Sequence, residues 1–81
     1  MQLEILTPEK KLFTGEATSV ILPGIDGKFQ LLEKHAPIIS ALGKGVIEFK
    51  ANGQIQSLDI TGGFAECQNN KVIVLVEGAM A

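Results

Sequence analysis

His35, Cys67, Ser19, Ser40 and Ser57 are the side chains through which this chain could attack a substrate or relay a proton. Nucleophilic catalysis needs a nucleophile, a base and an orienting group. No spacing couples the one histidine to the cysteine or to any serine, so His35 reads as structural or solvent-facing. Cys67 follows Ala65-Glu66, which bring no positive charge to stabilise a thiolate, and it reads as a half-buried strand thiol. A single cysteine excludes an internal disulfide and a multi-cysteine zinc site. The carboxylates of Asp26, Glu33, Asp59 and Glu66 fall between strands or on polar faces, where solvated charge is the expectation. Gly24-Ile25-Asp26-Gly27-Lys28 lacks the spacing of a phosphate loop, and Thr61-Gly62-Gly63 is a turn rather than a dinucleotide fingerprint. The expectation is a binding module with no catalytic residues, no cofactor and no metal.

Charge narrows the choice of partner. Seven lysines and no arginine are scattered among nine acids, for a net charge of −2. Nucleic-acid binding wants a basic stripe and aromatic platforms. Trp and Tyr are absent and the four Phe read as core, so no nucleic-acid partner is expected. No apolar run reaches the length of a membrane-spanning helix. A swinging-arm carrier is the rival class, because biotinyl and lipoyl domains are also small and all-β, with a modifiable lysine on a hairpin. Lys28 and Lys44 lie beside turn glycines, but neither has the sequence context of such a tip. A small-molecule-binding β protein is the other alternative.

The elements that must position these residues are strands. Leu3 and Ile5 alternate with Gln2 and Glu4, as in a half-buried strand. Further runs cover 11–13, 17–22, 28–32, 38–42, 46–50, 54–60, 64–67 and 71–77. Pro8–Lys11 is at most one loose turn. Asn52-Gly53 is the strongest hairpin signal, Asn69-Asn70 marks the last turn, and Pro23-Gly24 and Asp26-Gly27 mark two more. Ile55 breaks the alternation of its strand, which suggests a bulge or strand end near Gln56. Val72, Val74 and Val76 point one way along the last strand while Ile73 and Leu75 point the other. Both faces are then apolar, and the outer one needs a cover from the chain's own loops or from a partner. Roughly nine or ten short strands without a helical period predict an all-β flattened antiparallel sandwich or barrel, in one domain spanning 1–81.

Several segments in order carry a family resemblance. Leu22-Pro23-Gly24-x-x-Gly27-x-Phe29 leading to His35-Ala36-Pro37 resembles the amino-terminal domain of the ε subunit of F-type ATP synthases. LEILTPEKKLFTGEA (3–17), the Gly45-Val46 strand, TGGFAEC (61–67) and KVIVLVEGA (71–79) extend the similarity along the chain. Many members have Pro-Gly where this chain has Glu33-Lys34, and most continue into a carboxy-terminal helical hairpin. The resemblance implies a non-catalytic rotor subunit of a proton-translocating ATP synthase, in a short form without the hairpin, or the β domain of a longer ε subunit. It implies a place in the central stalk at the cytoplasmic face of a bacterial inner membrane, with the γ subunit and the c-subunit ring as partners. The implied ring contact is Asp26, Gly27 and Lys28, with Glu33, Lys34 and His35. Many relatives have an acid at the position of Lys28, so a compensating acid is expected on the ring. The implied γ contact is Leu6, Thr7 and Pro8, with Ile38, Ile39, Ser40, Ala41 and Leu42. Without the hairpin, inhibition by it and nucleotide binding are not expected.

Overall fold

The computed structural model describes residues 1–77, so Gly78 and Ala79 of the last family segment lie outside the described residues. Nine strands follow one another: β1 (Gln2–Leu6), β2 (Lys11–Glu16), β3 (Ser19–Gly24), β4 (Gly27–Leu32), β5 (Ile38–Leu42), β6 (Gly45–Ala51), β7 (Gln54–Ile60), β8 (Gly62–Gln68) and β9 (Lys71–Glu77). Their order across the sheet is β2-β1-β9-β8-β5-β3-β6-β7, with β4 paired to β3. On its other edge β3 pairs with β6 at Ser19–Ile21 and with β5 only at Gly24 and Leu42. That hand-over from one neighbour to the other curls the sheet into two facing layers. All the other pairings are antiparallel except β1 with β9, which run parallel from Gln2 and Lys71 to Leu6 and Leu75. A fully antiparallel reading therefore misses one seam, because pairing the first strand with the last leaves no local turn signal.

Alternation builds the core. Leu3 and Ile5 of β1, Val20 and Leu22 of β3, Leu31 of β4, Ile47 and Phe49 of β6, and Val72, Val74 and Val76 of β9 all point inward and are buried. Each such side chain contributes about 1.5–3 kcal/mol by leaving water. The two ends of the sheet meet through side chains: the Phe13 and Phe49 rings stand 4.6 Å apart and tilted.

Three local readings change. Pro23-Gly24 is no turn but the end of β3, and the reversal is Ile25-Asp26, with Gly24 and Gly27 opposed. Glycine suits position 24 because a Cβ there would come within 2.7 Å of Gly27 O. Near Gln56 the β6–β7 register runs unbroken from Gly45 and Ile60 to Ala51 and Gln54. Ile55 is an outward, exposed side chain rather than the mark of a bulge; the irregularity lies instead between Ile5 and Leu6. Phe64, expected in the core, is exposed.

Candidate functional site

Four neighbouring strands, β1, β9, β8 and β5, turn one continuous face outward. Register places Ala41 opposite Phe64, Phe64 opposite Leu75, and Leu75 opposite Leu6, so one row of apolar side chains crosses all four strands. The next row runs Ile39, Glu66, Ile73 and Glu4. Ile39 is 74% exposed, Phe64 61% and Leu75 47%. Together with Ile73 they line a shallow depression of about 310 Å³. The outer face of β9 thus has no cover among the described residues. Below it, Glu4 and Lys71 form an ion pair at 3.7 Å.

The two segments expected to touch a γ subunit flank this face. Leu6 and Thr7 are half-buried at the end of β1, and Pro8 is exposed. There Thr7 Oγ1 accepts from the Glu9 and Lys10 N–H groups, at 3.3 and 3.1 Å, and shapes the single turn foreseen in the sequence. In β5 only alternate residues look outward. Ile39 and Ala41 do, whereas Leu42 is buried, Ile38 packs against the core, and Ser40 shares their inward side. Phe64, central to the face, escaped the sequence reading, whereas Leu75 was read as lying on an apolar outer side in need of a cover. Phe64 had been counted as core for its apolarity alone. The signal that pointed to Leu75 was the double-sided apolar pattern of β9.

The six residues expected to make one ring contact are divided. Asp26, Gly27 and Lys28 occupy the exposed β3–β4 tip. Glu33, Lys34 and His35 occupy the loop at the other end of β4. Five residue steps of β4, at about 3.3 Å each, hold the groups apart. At the tip, Ile25 N–H donates to Ala41 O at 3.1 Å and Gly43 N–H to Pro23 O at 2.8 Å, which seats it against the β5–β6 turn. At the other end, the Met1 amino group donates to Ala17 O at 2.9 Å and pairs with Glu33.

The groups considered for catalysis are not assembled into a relay. The His35 ring is exposed, with Nδ1 2.7 Å from Ala36 O. Cys67 is buried, and its Sγ donates to the main-chain oxygen of His35 at 3.9 Å rather than meeting the ring. Burial pushes the Cys67 thiol above its ordinary 9.0. The described residues hold no cluster of three metal-ligating side chains.

A family model described as the beta-sandwich domain of the ATP synthase Delta/Epsilon chain matches residues 1–81. The ATP synthase epsilon chain of Chlorobium limicola is 46% identical over 77 residues, covering 94% of this chain and 88% of the relative. That of Nitratidesulfovibrio vulgaris (strain DP4) is 43% identical over 79 residues, covering 98% of this chain and 59% of its own length. That of Sulfurimonas denitrificans is 46% identical over 82 residues, covering all of this chain and 63% of the relative. The chain thus spans less than two thirds of the latter two. Among solved structures, a chain of the Euglena gracilis mitochondrial ATP synthase, OSCP/F1/c-ring, superposes with a TM-score of 0.89 at 20% identity, over 96% of this chain and 51% of that one. A chain of the Tetrahymena thermophila ATP synthase central stalk/c-ring gives 0.83 at 13% identity, over 98% and 64%. At those identities the likeness is one of fold.

Proposed function

This chain belongs to the family of ATP synthase delta/epsilon-chain β-sandwich domains, and we propose that it is a rotor part of such an enzyme, a stalk subunit that transmits torque and catalyses nothing. The observation that carries this reading is the apolar row Ala41–Phe64–Leu75–Leu6, where three exposed large apolar side chains, Ile39, Phe64 and Leu75, gather on one face, whereas the exposed Ile25, Leu32, Val46 and Ile55 lie on other strands and turns. Exposed apolar surface of that kind marks association, and in a stalk its occupant is the γ subunit. Ile39 and Phe64 are the central contacts, and Thr7 and Pro8 the rim. The β3–β4 tip, with Asp26, Gly27 and Lys28, projects from one end of the curled sheet and meets the c-subunit ring at the cytoplasmic surface of the membrane. A face for one neighbour and an end for the other lets one small body tie shaft to ring. Glu33, Lys34 and His35 lie at the opposite end of β4 and take no part in the ring contact. Close-packed, hydrogen-bonded layers deform little under load, which is the property that torque transmission needs.

Site-directed crosslinking in the assembled enzyme tests this. With Cys67→Ala as background, Phe64→Cys and Thr7→Cys should each form adducts with γ, and Asp26→Cys should form them with subunit c. An intact enzyme that contains the chain but gives no γ adduct from Phe64→Cys would rule out the proposed placement.

A further inference from the structure

The loop between β4 and β5 exposes Glu33, Lys34 and His35, yet its backbone is tied on several sides. Lys34 sits at φ 62°, a left-handed conformation that a residue with a Cβ keeps only where its surroundings enforce it. Its N–H donates to Asn70 Oδ1 at 2.7 Å, across 36 positions of sequence. The His35 N–H donates to Leu32 O at 3.2 Å and closes the turn. Asn70 is itself anchored. It is the second left-handed residue of the two-residue turn joining β8 to β9, and its carbonyl oxygen accepts from the Gln2 N–H at 3.0 Å. One residue thereby joins the start of β1, the β8–β9 turn and the β4–β5 loop.

We propose that Asn70 is a positioning residue: its amide oxygen holds Lys34 in the left-handed geometry and so sets how Glu33 and His35 leave the surface, at the end of the sheet opposite the Asp26–Lys28 tip. That this loop, which leads into β5, extends the γ contact rests on the stalk reading; the conformational role does not. Asparagine supplies both requirements, tolerance of positive φ and a side-chain acceptor two bonds beyond Cβ. A loop fixed before contact loses less freedom on docking than a mobile one.

Backbone amide exchange, followed by NMR on the full chain, separates this role from simple stability. Asn70→Gly keeps the left-handed turn, since Asn-Gly is a favoured pair for a two-residue hairpin, and deletes the amide oxygen. Asn70→Asp keeps an acceptor at the same place. The Lys34 amide should exchange about five to ten times faster in Asn70→Gly and near the original rate in Asn70→Asp. Amides inside β8 and β9 should be unchanged in both. Binding to ATP synthase stripped of this subunit should weaken several-fold with Asn70→Gly and recover with Asn70→Asp. The proposal is overturned by unchanged Lys34 exchange in Asn70→Gly, by no recovery in Asn70→Asp, or by a loosened loop that binds as well as before. Failure of the stalk reading looks different: the unaltered chain would not bind at all, while the exchange rates still report on Asn70.

Discussion

Gly63 and Cys67, on the same strand, show how much a single position can fix. Gly63 adopts φ 150°, and a Cβ there would be driven into the Leu75 carbonyl of the adjacent strand. Gly63→Ala should therefore cost roughly 3 kcal/mol or more, since both the conformation and the space are wrong for a side chain. Urea titration of the purified variant measures it, and a loss under about 1 kcal/mol would contradict the geometry. Cys67 gives a prediction in pH. Its thiol is raised in the folded chain by burial, so the unfolded chain loses that proton at lower pH than the folded one. Where the unfolded state binds fewer protons, stability falls as pH rises. The contribution is complete below the ordinary 9.0 and declines above it, up through the raised folded value. Melting curves between pH 8 and 11 (about that range suffices) should show a steeper alkaline loss for the parent chain than for Cys67→Ala. In the sequence Gly63 was legible only as punctuation, because the close approach of Leu75 O is made by another strand.

At the level of elements, what was legible was whatever one segment or one turn could announce. The strands at 46–50, 54–60 and 71–77 were visible because alternating side chains and turn residues bound them. The β6–β7 hairpin was visible because Asn52 and Gly53 accept the positive φ its turn demands, 54° and 75°. Replacing Asn52 by alanine should cost about 1 kcal/mol, and by glycine almost nothing, in denaturant midpoints at unchanged slope. Hidden from sequence were the features made by distant segments. The parallel β1–β9 seam joins the first strand to the last. The extension of β3 through Pro23-Gly24 pairs with Lys28 and Gly27 of β4 and is held on its other side by the β5 end and Gly43. Ile55 misled for a different reason: apolarity argues for burial only in aggregate, and a single exposed isoleucine on an edge strand is ordinary. Ile55→Lys should accordingly leave stability within about 0.5 kcal/mol.

Across the whole molecule, the flanking segments and the apolar outer side of β9 were legible but not the row that joins them, because Ala41–Phe64–Leu75–Leu6 exists only once four strands are in register. Sequence likewise grouped Asp26–Lys28 with Glu33–His35, which are near in number and far apart across β4. The assembled geometry separates two kinds of contact that mutation can tell apart. On the face, Phe64→Asp puts a charge where an apolar partner packs. Phe64 is exposed in the free chain, so folding should change by less than about 1 kcal/mol, while association with γ should weaken by about 2 kcal/mol or more. Val74→Ala does the reverse: it opens space in the core beneath the same face, costs about 2 kcal/mol of stability, and leaves γ affinity nearly unchanged where the domain stays folded. At the tip, Lys28→Glu alters one exposed charge, so its effect on ring binding should stay under about 1 kcal/mol and shrink as salt is raised. Binding titrations at low and high salt distinguish these cases. A Phe64→Asp defect that salt abolished would mean that the face is not an apolar dock, since burial of apolar surface is not weakened by screening.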